Sequence, residues 1–179
     1  MNRIGTVYGE GLYTLAKEEG LEQQLLQQLQ VLSACFDAQP DYLKLLASHD
    51  LPKAERVGIL DSDFRGKVHE YVLNFLKILT EKGYIGQFSA CYKAYNDQYC
   101  VDRGILQVQA ISAIELSDVQ QEKLKTTLSR LTGKTVMLQC KVDKSVLGGI
   151  RLQYGGYQVD GTLQTRLAEI EKQLKNTVI

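Results

Sequence analysis

Apolar residues recur with a helical period as far as Gly104 and with a period of two after it, so one chain must build two kinds of structure. Upstream, Ile4, Tyr8, Leu12 and Leu15 form one stripe that Gly20 is placed to end. Leu21, Leu25, Leu29, Leu32 and Phe36 form a second among glutamines and stop before Pro40. A short helix is expected from Asp41 to about Ser48, and another from Pro52 to Leu60 with Pro52 in its first turn. Asp61-Ser62-Asp63 reads as a cap for the helix that follows, in preference to a cation site. In that helix, 65–82, Val68, Tyr71, Val72, Leu73, Phe75, Leu76, Ile78 and Leu79 cover more than the usual stripe of about 100°. It either sits centrally in a bundle or leaves an apolar flank for a partner helix. Phe88, Cys91, Tyr92, Tyr95 and Tyr99 carry a sixth helix to the break near Asp102-Arg103-Gly104.

Downstream, Ile105 to Ile111 alternates as a strand should. Ser117 with Gln120 has the form of a capping box, and Val119, Leu124, Leu128 and Leu131 continue it as a helix. Thr135 to Val142 reads as the next strand. The stretch from Val146 to Leu174 then packs two glycine turns, two short strands and a closing helix into one unit. Gly148 and Gly149 open it, Ile150 and Leu152 alternate with Arg151 and Gln153, and Gly155-Gly156 supplies a two-residue hairpin turn. Tyr157 and Val159 carry the return strand. Asp160 is placed as a helix N-cap, and Leu163, Leu167, Ile170 and Leu174 make one apolar stripe beyond it. The expected fold is therefore α+β: a helical domain over 1–104 and a small α/β domain over 105–179.

The order of parts in this last unit closely resembles the signature of the delta subunit of rotary ATP synthases, the family of the mitochondrial oligomycin-sensitivity-conferring protein. Leu147-Gly148-Gly149, the Gly155-Gly156 turn, Asp160, and Leu163 with Leu167 carry the likeness, and Gly161 stands where that family commonly has serine. Tyr8, Leu12, Tyr13 and Ala16, with Asn74-Phe75-Leu76 and Ile78-Leu79, extend it into the first half. Tyr84 follows Gly83 where an arginine is frequent in the family.

The resemblance implies a six-helix N-terminal bundle followed by the small α/β domain, acting as a non-catalytic stator part of the peripheral stalk. It implies that the bundle holds the N-terminal helix of an alpha subunit in a groove between its first and fifth helices, here 3–19 and 65–82. It further implies that the second domain joins the b subunits. Tyr8, Leu12, Tyr13, Leu76 and Leu79 are the expected groove residues, and each also suits a bundle core. Gly148, Gly149, Gly155, Gly156 and Asp160 are expected to shape the fold. No cofactor, metal or catalytic residue is expected. The expected location is peripheral, at the cytoplasmic face of a bacterial inner membrane.

Other functions fit the residues poorly. Lysine and arginine number 21 against 21 acidic residues, which leaves no basic footprint for nucleic acid, although Tyr154 and Tyr157 could otherwise stack on bases. No apolar run reaches the roughly 18 residues needed to span a bilayer, so no direct membrane insertion is expected. Cys35, Cys91, Cys100 and Cys140 are scattered, and His49 and His69 fit no metal spacing. Gly133-Lys134-Thr135 follows a helix and has Leu128 where a phosphate loop needs its first glycine.

Overall fold

The computed structural model describes residues 3–48, 50–146, 148–155 and 157–161. Leu147, Gly156 and the expected helix through Leu163, Leu167, Ile170 and Leu174 lie outside them. The fold mixes helix and sheet, and the chain divides into two compact units, 1–99 and 100–179.

The first unit holds α1 (Arg3–Glu18), α2 (Glu22–Ala38), α3 (Pro40–Ala47), α4 (Lys53–Phe64), α5 (Glu70–Glu81), a 3-10 turn (Ile85–Gln87) and most of α6 (Phe88–Asp102). Its core gathers Leu12, Leu25, Leu29, Phe36, Leu46, Leu60, Leu76, Leu79, Phe88 and Tyr95, all buried. Phe36 meets Phe88 edge-on with ring centres 4.9 Å apart, and Tyr13 meets Tyr95 likewise at 5.3 Å. The Tyr95 hydroxyl donates to the Glu22 carbonyl at 2.9 Å, so its burial leaves no stranded donor.

Glycine sets how closely two of these helices approach. A Cβ on Gly9 would lie 2.3 Å from the Cys91 carbonyl oxygen, and one on Gly5 would lie 2.6 Å from the Ala90 Cβ. Only hydrogen fits between α1 and α6 there. Arg56 is buried in α4, where its Nη1 donates to the Leu46 carbonyl at 3.1 Å and satisfies one of the last acceptors of α3.

Several expectations shift. The helix expected over 65–82 begins only at Glu70, because Gly66 adopts φ +76° and His69 caps the new helix by accepting from the Tyr71 amide at 3.3 Å. Asp61 and Asp63, expected to cap a following helix, lie instead in the last turn of α4. There Asp61 binds Lys77 of α5 at 2.7 Å and Arg65 at 3.0 Å, and Asp63 accepts from the Tyr42 hydroxyl of α3 at 2.8 Å. The acids tie three helices together. On α1 the core stripe passes from Leu12 to Ala16, four residues on, and leaves Leu15 37% exposed.

The second unit holds β1 (Ile105–Ser112), α7 (Asp118–Thr132), β2 (Thr135–Val142), β3 (Ile150–Tyr154) and β4 (Tyr157–Asp160). The sheet runs β2-β1-β3-β4, with β1 and β2 parallel and the other pairs antiparallel. The capping box at Ser117 forms as expected, and Gly133, at φ +68°, ends α7 in the left-handed region. Val119 and Leu131, placed by spacing on the packing stripe of α7, are instead 78% and 73% exposed; Gln121, Leu124 and Leu128 form the half-buried side.

Candidate functional site

Two surfaces answer to the sequence features. The first lies on α1 and α5. Of the five expected groove residues, Leu12, Tyr13, Leu76 and Leu79 are buried in the core of the first unit, and Tyr8 is half-buried. The ring of Tyr8 meets Tyr84 edge-on at 5.9 Å, which brings α1 beside the loop that leaves α5. What these helices turn outward is different. Val7 is 61% exposed, Leu15 follows eight residues later, and Gly11 between them has no neighbouring atom where a side chain would stand. Spacings of four put the three on one helical line. On α5 the exposed line is Asn74, Ile78 and Glu81, with Ile78 44% exposed. The apolar breadth of α5 thus divides into a buried side and one outward isoleucine.

Spacing counted from Ile4 puts Leu15 on the core line and passes over Val7 and Gly11. Their own four-residue spacing was the available signal.

The electrostatics beside α5 hold the helix and offer no chemistry. Hydrogen bonding from Lys77, helped by Arg65, keeps the Asp61 carboxyl below the usual carboxylate range. Burial raises the Tyr42 hydroxyl well above its ordinary value, and its bond to Asp63 adds to the shift. Burial alone pushes the Cys91 thiol up to about 11, away from reactive thiolate character.

The second surface is the glycine-bounded unit. Gly148 and Gly149 have φ of +127° and +84°, and Gly155 has +52°, conformations that side chains rarely adopt. Gly156 lies outside the described residues. Asp160 ends β4, and its carboxylate accepts from Arg151 Nε across the strand pair at 3.1 Å. The Gly161 amide donates to the Ile150 carbonyl at 3.1 Å, and a Cβ there would stand 3.2 Å from that oxygen. Tyr154 and Tyr157 pair across the same hairpin with ring centres 6.0 Å apart. Lys134 follows the α7 C-cap, between a helix end and a strand start, so its neighbours shape a turn.

Among the described residues no group of three histidine, cysteine or acidic side chains is placed to hold a metal, and no helix is long and apolar enough to cross a membrane.

Comparison with known proteins agrees over the full length. The family described as ATP synthase delta (OSCP) subunit matches residues 4–174. A protein of Clostridioides difficile strain 630 named ATP synthase subunit delta is 30% identical over 179 residues, covering 99% of each chain. One of the same name from Syntrophomonas wolfei is 30% identical, covering 96% of this chain and 94% of its own. A chain in the cryo-EM structure of the Toxoplasma gondii mitochondrial ATP synthase hexamer has the same fold, with a TM-score of 0.80 at 16% identity over 97% of this chain and 98% of that one. The chain belongs to the ATP synthase delta (OSCP) subunit family, non-catalytic subunits of the peripheral stalk of the rotary ATP synthase.

Proposed function

We propose that the chain is the joint between the catalytic head and the stalk of a bacterial ATP synthase, at the cytoplasmic face of the inner membrane. In this reading residues 1–104 are a six-helix bundle that holds the N-terminal helix of an alpha subunit, and residues 105–179 bind the b subunits. Rotor torque would turn the head unless a linkage resisted it. Such a linkage needs tight apolar contact and no reactive group.

The observation that carries this reading is the outward line of Val7, Gly11 and Leu15 on α1, with Ile78 on α5. An amphipathic helix laid there would cover apolar surface worth roughly 25 cal/mol per Å². Tyr8, Leu12, Tyr13, Leu76 and Leu79 then serve as the floor that sets the height of these side chains. The bacterial placement is supported by the relatives from Clostridioides difficile and Syntrophomonas wolfei.

Calorimetric titration of the intact chain with a peptide of the alpha N-terminal helix tests it. Tight binding is expected, weakened by about tenfold or more, at least ~1.4 kcal/mol, in Val7→Asp and Ile78→Asp variants of unchanged helicity. A folded wild-type chain that takes up no peptide would rule out the groove.

A further inference from the structure

Two hydrogen bonds fix which way the backbone of β2 points. The Thr135 amide donates to the Gly104 carbonyl at 3.0 Å, and the Asp143 amide donates to the Ser112 carbonyl at 2.9 Å. Between them the two strands pair one for one, from Ile105 with Thr135 to Ser112 with Val142, in a parallel ladder. Successive residues of a strand turn their backbone groups to opposite sides, so Met137, Gln139 and Lys141 also bond toward β1. Val136, Leu138, Cys140 and Val142 therefore aim N–H and C=O the other way. Among the described residues β2 is an end strand of the sheet, so that row faces outward.

Natural sheet edges are usually shortened, bulged, broken by proline or charged along their length. From Thr135 to Cys140 this edge has none of these defences. Beside it runs a groove of about 300 Å³, lined by Gln121, Glu122 and Lys125 of α7 and by Val136, Met137 and Leu138 of β2. Val136 is buried and Leu138 half-buried on one side of the strand, while Met137 is 56% exposed on the other.

We propose that the β2 edge takes up an extended peptide segment of a partner as a fifth strand, with apolar side chains in the groove and acidic residues at its ends. Strand addition supplies main-chain hydrogen bonds, and pockets for alternate side chains supply the choice of sequence. Every second side chain of the added strand falls on the same side as Val136 and Leu138, where the groove has room for apolar groups of medium size. Charge selects the occupant. Along the edge and just past its end stand Lys125, Lys134, Lys141 and Lys144, against Glu122 and Asp143. Lys125 already holds Glu122 at 3.4 Å, and the charge of Lys141 acts on Asp143. A second copy of β2 would bring the same lysines and be repelled, whereas an acid-ended segment is drawn in. The surface belongs to the second unit alone, and its partner is defined by chemistry whatever protein carries the segment.

Residue-resolved amide exchange on the full chain tests this with a capped peptide, Glu-Thr-Val-Thr-Val-Thr-Glu, which reads the same in either strand direction. In the free chain the Met137, Gln139 and Lys141 amides should be protected and those of Val136, Leu138 and Cys140 should exchange freely. Excess peptide should slow the second set several-fold and leave the first unchanged. The same peptide with alternate backbone nitrogens methylated keeps every side chain and should bind at least tenfold more weakly, as should a lysine-ended version. No protection by the acid-ended peptide, or equal protection by either control, would overturn the proposal. So would outward amides already protected in the dilute free chain. Protection that appears without peptide as protein concentration rises would assign the edge to a second copy and overturn it equally.

Discussion

Replacing either of two glycines only two residues apart on α1, Gly9 and Gly11, by alanine should have opposite effects on stability. At Gly9 the new Cβ would stand 2.3 Å from the Cys91 carbonyl oxygen and 2.8 Å from the Ala94 Cβ, whereas carbon contacts are comfortable at roughly 3.5–4.0 Å. The nearest obstacle is backbone, which cannot swing aside, so α1 must lift from α6 by about 1 Å. Overpacking of this kind costs about 1–3 kcal/mol, and forcing two helices apart belongs at the upper end. Alanine recovers about 1 kcal/mol of helix propensity, which leaves a net loss of about 2 kcal/mol. At Gly11 nothing stands within 4 Å, so only the propensity gain of about 1 kcal/mol applies. The two variants should therefore differ by about 3 kcal/mol, or some 12–24 °C in melting midpoint for a unit of this size. Urea and thermal unfolding of the full chain, followed through the helical circular-dichroism signal, measure both. Equal stability of the two variants would refute the close packing of α1 on α6.

Three further outcomes follow from the structure. Asp61 is held below its ordinary value of 3.8, so it contributes stability above that pH and loses it as the folded carboxylate protonates at lower pH; Asp61→Asn should flatten this acid limb in pH-dependent unfolding. Cys91 is raised from 9.0 to about 11, so the unfolded thiol ionises first and stability should fall as pH rises through that interval; in Cys91→Ala the alkaline decline should be shallower. Ser117→Ala breaks the reciprocal capping of α7 and should cost about 1 kcal/mol, seen as faster amide exchange in its first turn.

Much of this fold is legible in the sequence because spacing and turn chemistry are local. The helical stripes before Gly104, the Ser117 capping box and the strands at Ile105 and Thr135 all depend on neighbours within a few residues. What spacing misreads depends on the third dimension. Leu15 and Ala16 adjoin in sequence, and only the packed bundle decides that the small one goes in and the large one out. Asp61 and Asp63 look like caps until α3 and α5 bring Tyr42 and Lys77 to them. Val119 and Leu131 fit the period of α7, yet the helix packs against β2 and its half-buried side includes Gln121, Leu124 and Leu128 instead. The proposed groove shows the same limit: the large apolar residues that attract notice, Leu76 and Leu79, are core, and Val7, Gly11 and Ile78 are what α1 and α5 expose.

The central claim is that this chain transmits torque without performing chemistry, and coupling measured in rebuilt membranes tests it most directly. ATP synthase lacking its delta subunit would be reconstituted with the wild-type chain or with the Val7→Asp/Ile78→Asp double variant, and ATP hydrolysis and ATP-driven ion pumping read side by side. The wild type should restore pumping, and the double variant should leave hydrolysis intact while pumping is lost. Full pumping with the double variant bound through its second domain alone would contradict the account.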